Sequence, residues 1–165
     1  MPISTIRALL LSSGLLLGLA GCGDDAPAVP PTASASAPTV KVVWFTDLAE
    51  AQRQAATRKV PILADFSGSD WCDSCRLLDK EVFATPEFAT WAASRVVLLN
   101  LDYPQQHEQS AALKQQNVEL AEKYRVDTFP TVLFIAADGT VIGKSGYEEG
   151  GAAAWIAQAD GLLKR

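Results

Sequence analysis

An α/β fold, a central mixed sheet of about four to five strands flanked by helices, is what residues 40–165 of this chain predict. Two observations carry the prediction. Apolar runs at residues 60–66 and 96–101 are unbroken enough for strands buried on both faces, and stretches of helical periodicity alternate with them. Further on, an apolar run at residues 130–136 meets Asp138-Gly139 and then residues 140–143, the pattern of a hairpin.

Each element follows in order. Residues 42–45 form a short strand candidate, and residues 47–59 read as a helix with Leu48, Ala51 and Ala55 at helical spacing and Asp47 as its N-cap. The run 60–66 is the second strand. The helix after it starts at Cys72 and Cys75, carries Leu77, Leu78, Val82 and Phe83, and extends to Phe88 and Trp91 beyond an interruption at Pro86. Its apolar residues need a sheet to cover. Residues 96–101 give the third strand, 111–124 a helix of mixed polarity, and 151–163 a last helix that shows Trp155, Ile156, Leu162 and Leu163 to the core.

The N-terminal residues predict export and not structure. Arg7 ends a short charged start, residues 8–19 are an apolar core too short to span a bilayer comfortably, and Leu19-Ala20-Gly21-Cys22 closes the segment with small residues before a cysteine. Residues 1–21 resemble a bacterial lipoprotein signal peptide. The resemblance implies that Cys22 becomes the first mature residue and carries a lipid into the bilayer; an ordinary secretory signal is the alternative. Residues 22–39 are rich in Pro, Ala, Ser and Thr and read as an extended tether to a domain at residues 40–165. Without the signal the chain has 13 basic and 19 acidic side chains, net −6, so nucleic acid is not an expected partner.

Cys72 and Cys75 carry the chemistry. Three residues apart at a helix start, they lie on one face, close enough for a disulfide to close and reopen. At the N-terminus of the helix, unpaired N–H groups and the dipole favour a Cys72 thiolate. On the CxxC alone, a structural disulfide or half of a zinc site remains open. Only His107 could join the pair as a further soft ligand, and it stands in a polar stretch that reads as solvated surface. No metal site is therefore expected, with a two-coordinate Cu(I) carrier as the remaining alternative.

This order of elements around a CxxC resembles the thioredoxin fold over nearly all of residues 40–165. Asp65-Phe66 ahead of Trp71-Cys72, Asn100 and Asp102 at the end of the third strand, Phe129-Pro130-Thr131 before the fourth and Gly146 after the fifth occur in the family's order. The stretch from Asp65 to Cys72, followed by Glu81-Val82-Phe83, is most similar to a subgroup of exported thioredoxin-like domains that includes the C-terminal domain of the transmembrane disulfide reductase DsbD. The resemblance implies a thiol–disulfide oxidoreductase without cofactor. Its catalytic residues would be Cys72, Cys75 and Asp65, the last a buried acid assisting proton transfer at Cys75. Trp71, Phe129 and a cis Pro130 would bind substrate, with an incoming peptide pairing along the backbone of Phe129. Protein disulfides would be the substrates, and a thiol donor in the membrane or periplasm would supply electrons.

Three departures from the family stand out. Seven positions separate Asp65 from Cys72, one more than in common thioredoxins, which puts the reach of Asp65 to Cys75 in doubt. Leu98 stands where thioredoxins often have a lysine near that acid, and Asp73-Ser74 replaces Gly-Pro between the cysteines. Residues 103–116 also exceed the family's usual connection and are expected to be a loop insertion without function. A thioredoxin-fold binding module with a structural disulfide is the rival from another class.

Overall fold

The computed structural model describes residues 40–164; the signal, Cys22 and the tether lie outside the described residues. Five strands and five α-helices follow one another along the described residues: β1 (Trp44–Phe45), α1 (Leu48–Arg58), β2 (Ile62–Ser67), α2 (Asp73–Leu78), α3 (Pro86–Arg95), β3 (Val97–Asp102), α4 (Ala111–Tyr124), β4 (Thr131–Ile135), β5 (Val141–Ser145) and α5 (Gly151–Leu163). The strands form one sheet in the order β1-β3-β2-β4-β5. β1, β2 and β3 run parallel, while β4 pairs antiparallel with β2 and β5 antiparallel with β4. This is the mixed sheet expected from the sequence.

Strand alternation divides the core in two. Leu63, Leu98, Val132 and Phe134 point to the side of α3 and α5, where they meet Phe83, Phe88 and Trp155. Ile62, Ala64, Phe66, Val97, Leu99 and Leu101 point to the other side, against Ala51 and Ala55 of α1 and Leu120 of α4. β2 and β3 are thus covered on both faces, which is why their sequences are almost continuously apolar. Asp65 and Asn100 are opposite one another in the register of these strands. Both point to the α3/α5 side, at the strand ends nearest the cysteines.

The helix ends follow local chemistry. Asp47 caps α1 by accepting from the N–H of Glu50 at 2.7 Å, a contact worth about 1 kcal/mol. Pro86 interrupts one helix by beginning another: it is the first residue of α3, behind a Thr85 cap. Between α2 and α3, residues Asp79–Phe83 form a single π-helical turn, closed by the N–H of Ala84 on the carbonyl of Asp79 at 2.7 Å. The extra residue in that turn changes which side chains face inward. Val82 and Phe83 are buried as expected, but Leu77 is 38% exposed and does not join the core. At the hairpin, Pro130 precedes the strand instead of belonging to it, and β5 runs on to Ser145.

Candidate active site

Cys72 is the N-cap of α2, and its Sγ accepts from the N–H of Cys75 at 3.2 Å. The two cysteines form a disulfide with their Cα atoms 5.3 Å apart. Both are buried, at 7% and 4% exposure, so position on the helix distinguishes them better than accessibility does. Asp73 and Ser74 are exposed, and the Arg76 guanidinium is paired with the Asp73 carboxylate. The charge that Asp73 places beside Cys72 is therefore met by a cation on the same turn.

Beneath the disulfide lies a cleft of about 400 Å³ lined by Asp65, Ser67, Ser69, Cys75, Arg76, Asp79 and Asn100. The longer loop before Cys72 has not removed Asp65 from the neighbourhood of Cys75. Asp65 Oδ1 and Asn100 Oδ1 are buried and have no hydrogen-bond partner. Burial, with the Asp79 and Asp102 carboxylates adding to it, raises the Asp65 pKa from 3.8 to about 7. None of the charged groups acting on it is a cation, in keeping with Leu98 in place of a lysine. An acid with that value gains or loses its proton readily at neutral pH.

On the outer side of the disulfide stands an aromatic wall. Trp71, 37% exposed, meets Phe129 edge to face with ring centroids 5.6 Å apart, and Phe129 meets Tyr103 the same way at 5.0 Å. The Phe129-Pro130 peptide bond is cis, as the resemblance implied. Trp71 folds back over Gly68 so closely that a Cβ there would lie 2.4 Å from its ring. Its Nε1 donates to the carbonyl of Tyr103 at 2.7 Å. Burial pushes the Tyr103 phenol up to about 12, so it remains a donor, and it bonds the carbonyl of Asn117 on α4.

Asp79, Asp70 and Tyr103 were not singled out by the sequence, and Asn100 was named only as part of the family's order, without a place in the cleft. Asp79, four residues after Cys75, shares its helical face and could have been found by spacing. Asn100 could have been found only with the register of β2 on β3. Asp70 and Tyr103 act through contacts between loops, which leave no local pattern. His107 is half-exposed but not simply solvated, since its ring nitrogens lie 3.1 Å from Asp70 and 3.6 Å from Asp102.

A sheet of this order, with a CxxC disulfide at the start of the helix after β2 and a cis proline before β4, is a thioredoxin fold, and it defines a thiol–disulfide oxidoreductase. Comparison with known proteins agrees. The chain belongs to the thioredoxin-like family, whose domain matches residues 48–159. It is 34% identical over 116 residues to the disulfide bond reductase DsbH of Chlamydia pneumoniae, covering 70% of each chain. It is 33% identical over 145 residues to the thiol:disulfide interchange protein DsbD 2 of Pseudomonas aeruginosa, covering 79% of this chain but 22% of that protein. A solved structure of a DsbH oxidoreductase superposes with a TM-score of 0.73 at 29% identity, covering 87% of this chain and 95% of the other.

Proposed function

We propose that the protein reduces disulfides of other proteins outside the cytoplasm, with Cys72 as nucleophile and Cys75 as resolving thiol. In the reduced enzyme the Cys72 thiolate attacks one sulfur of a substrate disulfide, forming a mixed disulfide and expelling a substrate thiolate. Cys75 then gives its proton to the Asp65 carboxylate and attacks Cys72 Sγ. The mixed disulfide breaks, the second substrate thiolate leaves, and the Cys72–Cys75 bond forms. The substrate has gained two electrons and the enzyme has lost them. A dithiol donor restores the enzyme by the reverse exchange. Trp71, Phe129 and Pro130 form the docking surface for the substrate peptide.

The observation that carries this reading is the unpartnered Asp65 carboxyl in the cleft it shares with Cys75. A structural disulfide gains nothing from a buried acid whose pKa is near neutral, and burying it costs stability. The reducing direction draws support from the relative named a disulfide bond reductase. The extracytoplasmic setting and the anchor at Cys22 are supported by the N-terminal sequence. The deciding experiment combines turnover with trapping. The wild type should reduce insulin disulfides catalytically when fed by a dithiol, and Cys75→Ala should accumulate covalent adducts that dissolve on reduction. If the wild type gives no turnover and Cys75→Ala traps nothing, the disulfide is structural. For the anchor, wild type should fractionate with membranes and Cys22→Ser should not.

A further inference from the structure

Two oddities of the sequence, the extra residue before Cys72 and the long connection after β3, turn out to be one feature. The Asp70 carboxylate accepts from the N–H of Gln105 at 3.0 Å and from that of Gln106 at 2.7 Å. The Gln106 side chain donates back to the Asp70 carbonyl at 2.9 Å. Next to this pair, Asp102 accepts from the N–H and hydroxyl of Ser69 at 2.9 and 2.7 Å, and His107 stands between the two carboxylates. The loop before the disulfide and the loop after β3 are thus clasped together. The clasp flanks the bond by which Tyr103 holds the Trp71 indole.

We propose that Asp70 is a positioning residue for substrate binding. By fixing the loop after β3, it fixes the Tyr103 carbonyl, and through it the orientation of Trp71 in the wall beside Cys72. An unclasped loop leaves the indole free to swing from Phe129, and an incoming peptide then has to order the wall as it binds. That ordering weakens binding without altering the exchange of sulfur bonds, because the cysteines and Asp65 belong to α2 and β2. The proposal rests on the reductase reading above and deepens it.

The test uses the full chain. Asp70→Ala should raise KM for insulin by about fivefold with kcat within about twofold, the signature of lost binding and intact chemistry. Amide hydrogen exchange at Gln105 and Gln106 should accelerate in the same variant, and Asp70→Asn, which keeps one acceptor oxygen, should fall between it and the wild type on both measures. Faster exchange with an unchanged KM would show that the clasp is structural only and would overturn the proposal. Unchanged exchange would also overturn it, because Asp70 would then not hold the loop. If Asp70→Ala does not fold by circular dichroism, the KM of Asp70→Asn decides. Absence of insulin turnover in the wild type would remove the reductase reading instead, and the exchange result would still stand or fall by itself.

Discussion

Asp65 and Asp70 are five residues apart, the first inside β2 and the second in the loop that leads from it to the disulfide, and they are opposite kinds of carboxylate. Asp65 is buried with an oxygen that nothing donates to, and its pKa is raised to about 7. Asp70 is half-buried and saturated: the Gln105 N–H foremost, then Gln106 and His107, hold it below the usual carboxylate range. What separates them is burial among like charges for Asp65 and a supply of donors for Asp70. One can move a proton at neutral pH because its charge is not stabilised. The other serves as a fixed anchor because its charge is.

The sharpest way to break this contrast is Asp65→Asn. The folded pKa near 7 lies above the ordinary 3.8, so between these values the folded protein holds a proton that the unfolded chain has lost. The contribution of Asp65 to stability of the oxidised protein should therefore be greatest below pH 4, fall as pH rises, and reach its full loss, on the order of 4 kcal/mol, above pH 7, opposite in sign to that of carboxylates such as Asp70 whose pKa is lowered. Asp65→Asn should flatten that slope in urea titrations at pH 4.5 and 8. It should also slow resolution of the mixed disulfide at pH 7 by about 100-fold, a typical general-base contribution. A pH slope in Asp65→Asn equal to that of the wild type would assign the titration to another group.

Gly68→Ala should disturb the outer half while leaving the inner half alone. The new Cβ would collide with the Trp71 ring, forcing the indole off the Tyr103 carbonyl at a cost of about 1–3 kcal/mol. Indole fluorescence and melting temperature should change, and the pH slope due to Asp65 should not. Asp79→Asn works the other way. It removes a like charge that helps to raise Asp65, so the midpoint of that slope should move to lower pH, with melting temperature little altered near pH 5. The smallest effect is expected for His107→Gln, a surface change worth within about 0.5 kcal/mol, read as a slight acceleration of amide exchange at Gln106.

What the sequence revealed and concealed follows the same inner and outer division. Strand β2, the cysteines at a helix start and the residues of the family pattern were legible because each is a local pattern of period, cap or motif. Helices α4 and α5 were legible to the residue for the same reason. The break of the second helix was seen at Pro86 but its π turn was not, since an extra residue in a helical turn has no compositional mark; Leu77, on α2 ahead of that turn, is exposed where the apolar pattern gave it to the core. The clasp was read as two unrelated departures, an odd loop and an idle insertion. Its bonds join positions 33 to 36 residues apart, through polar side chains that look like ordinary loop composition.

The antiparallel pairing of β4 on β2 has a consequence for how such a site can diversify. Phe66 faces Thr131 across the ladder, so the strand that leads to the cysteines ends where the strand that follows Pro130 begins. The dithiol and the segment at the cis Pro130 are therefore spaced by a main-chain ladder, whose repeat of about 4.8 Å does not depend on side-chain identity. The aromatic wall of Trp71, Phe129 and Tyr103 is built from loops outside that ladder. On the proposed reading, reactivity and choice of client would lie in separate parts of the chain, so that a change in the connection after β3 alters the second without moving the first.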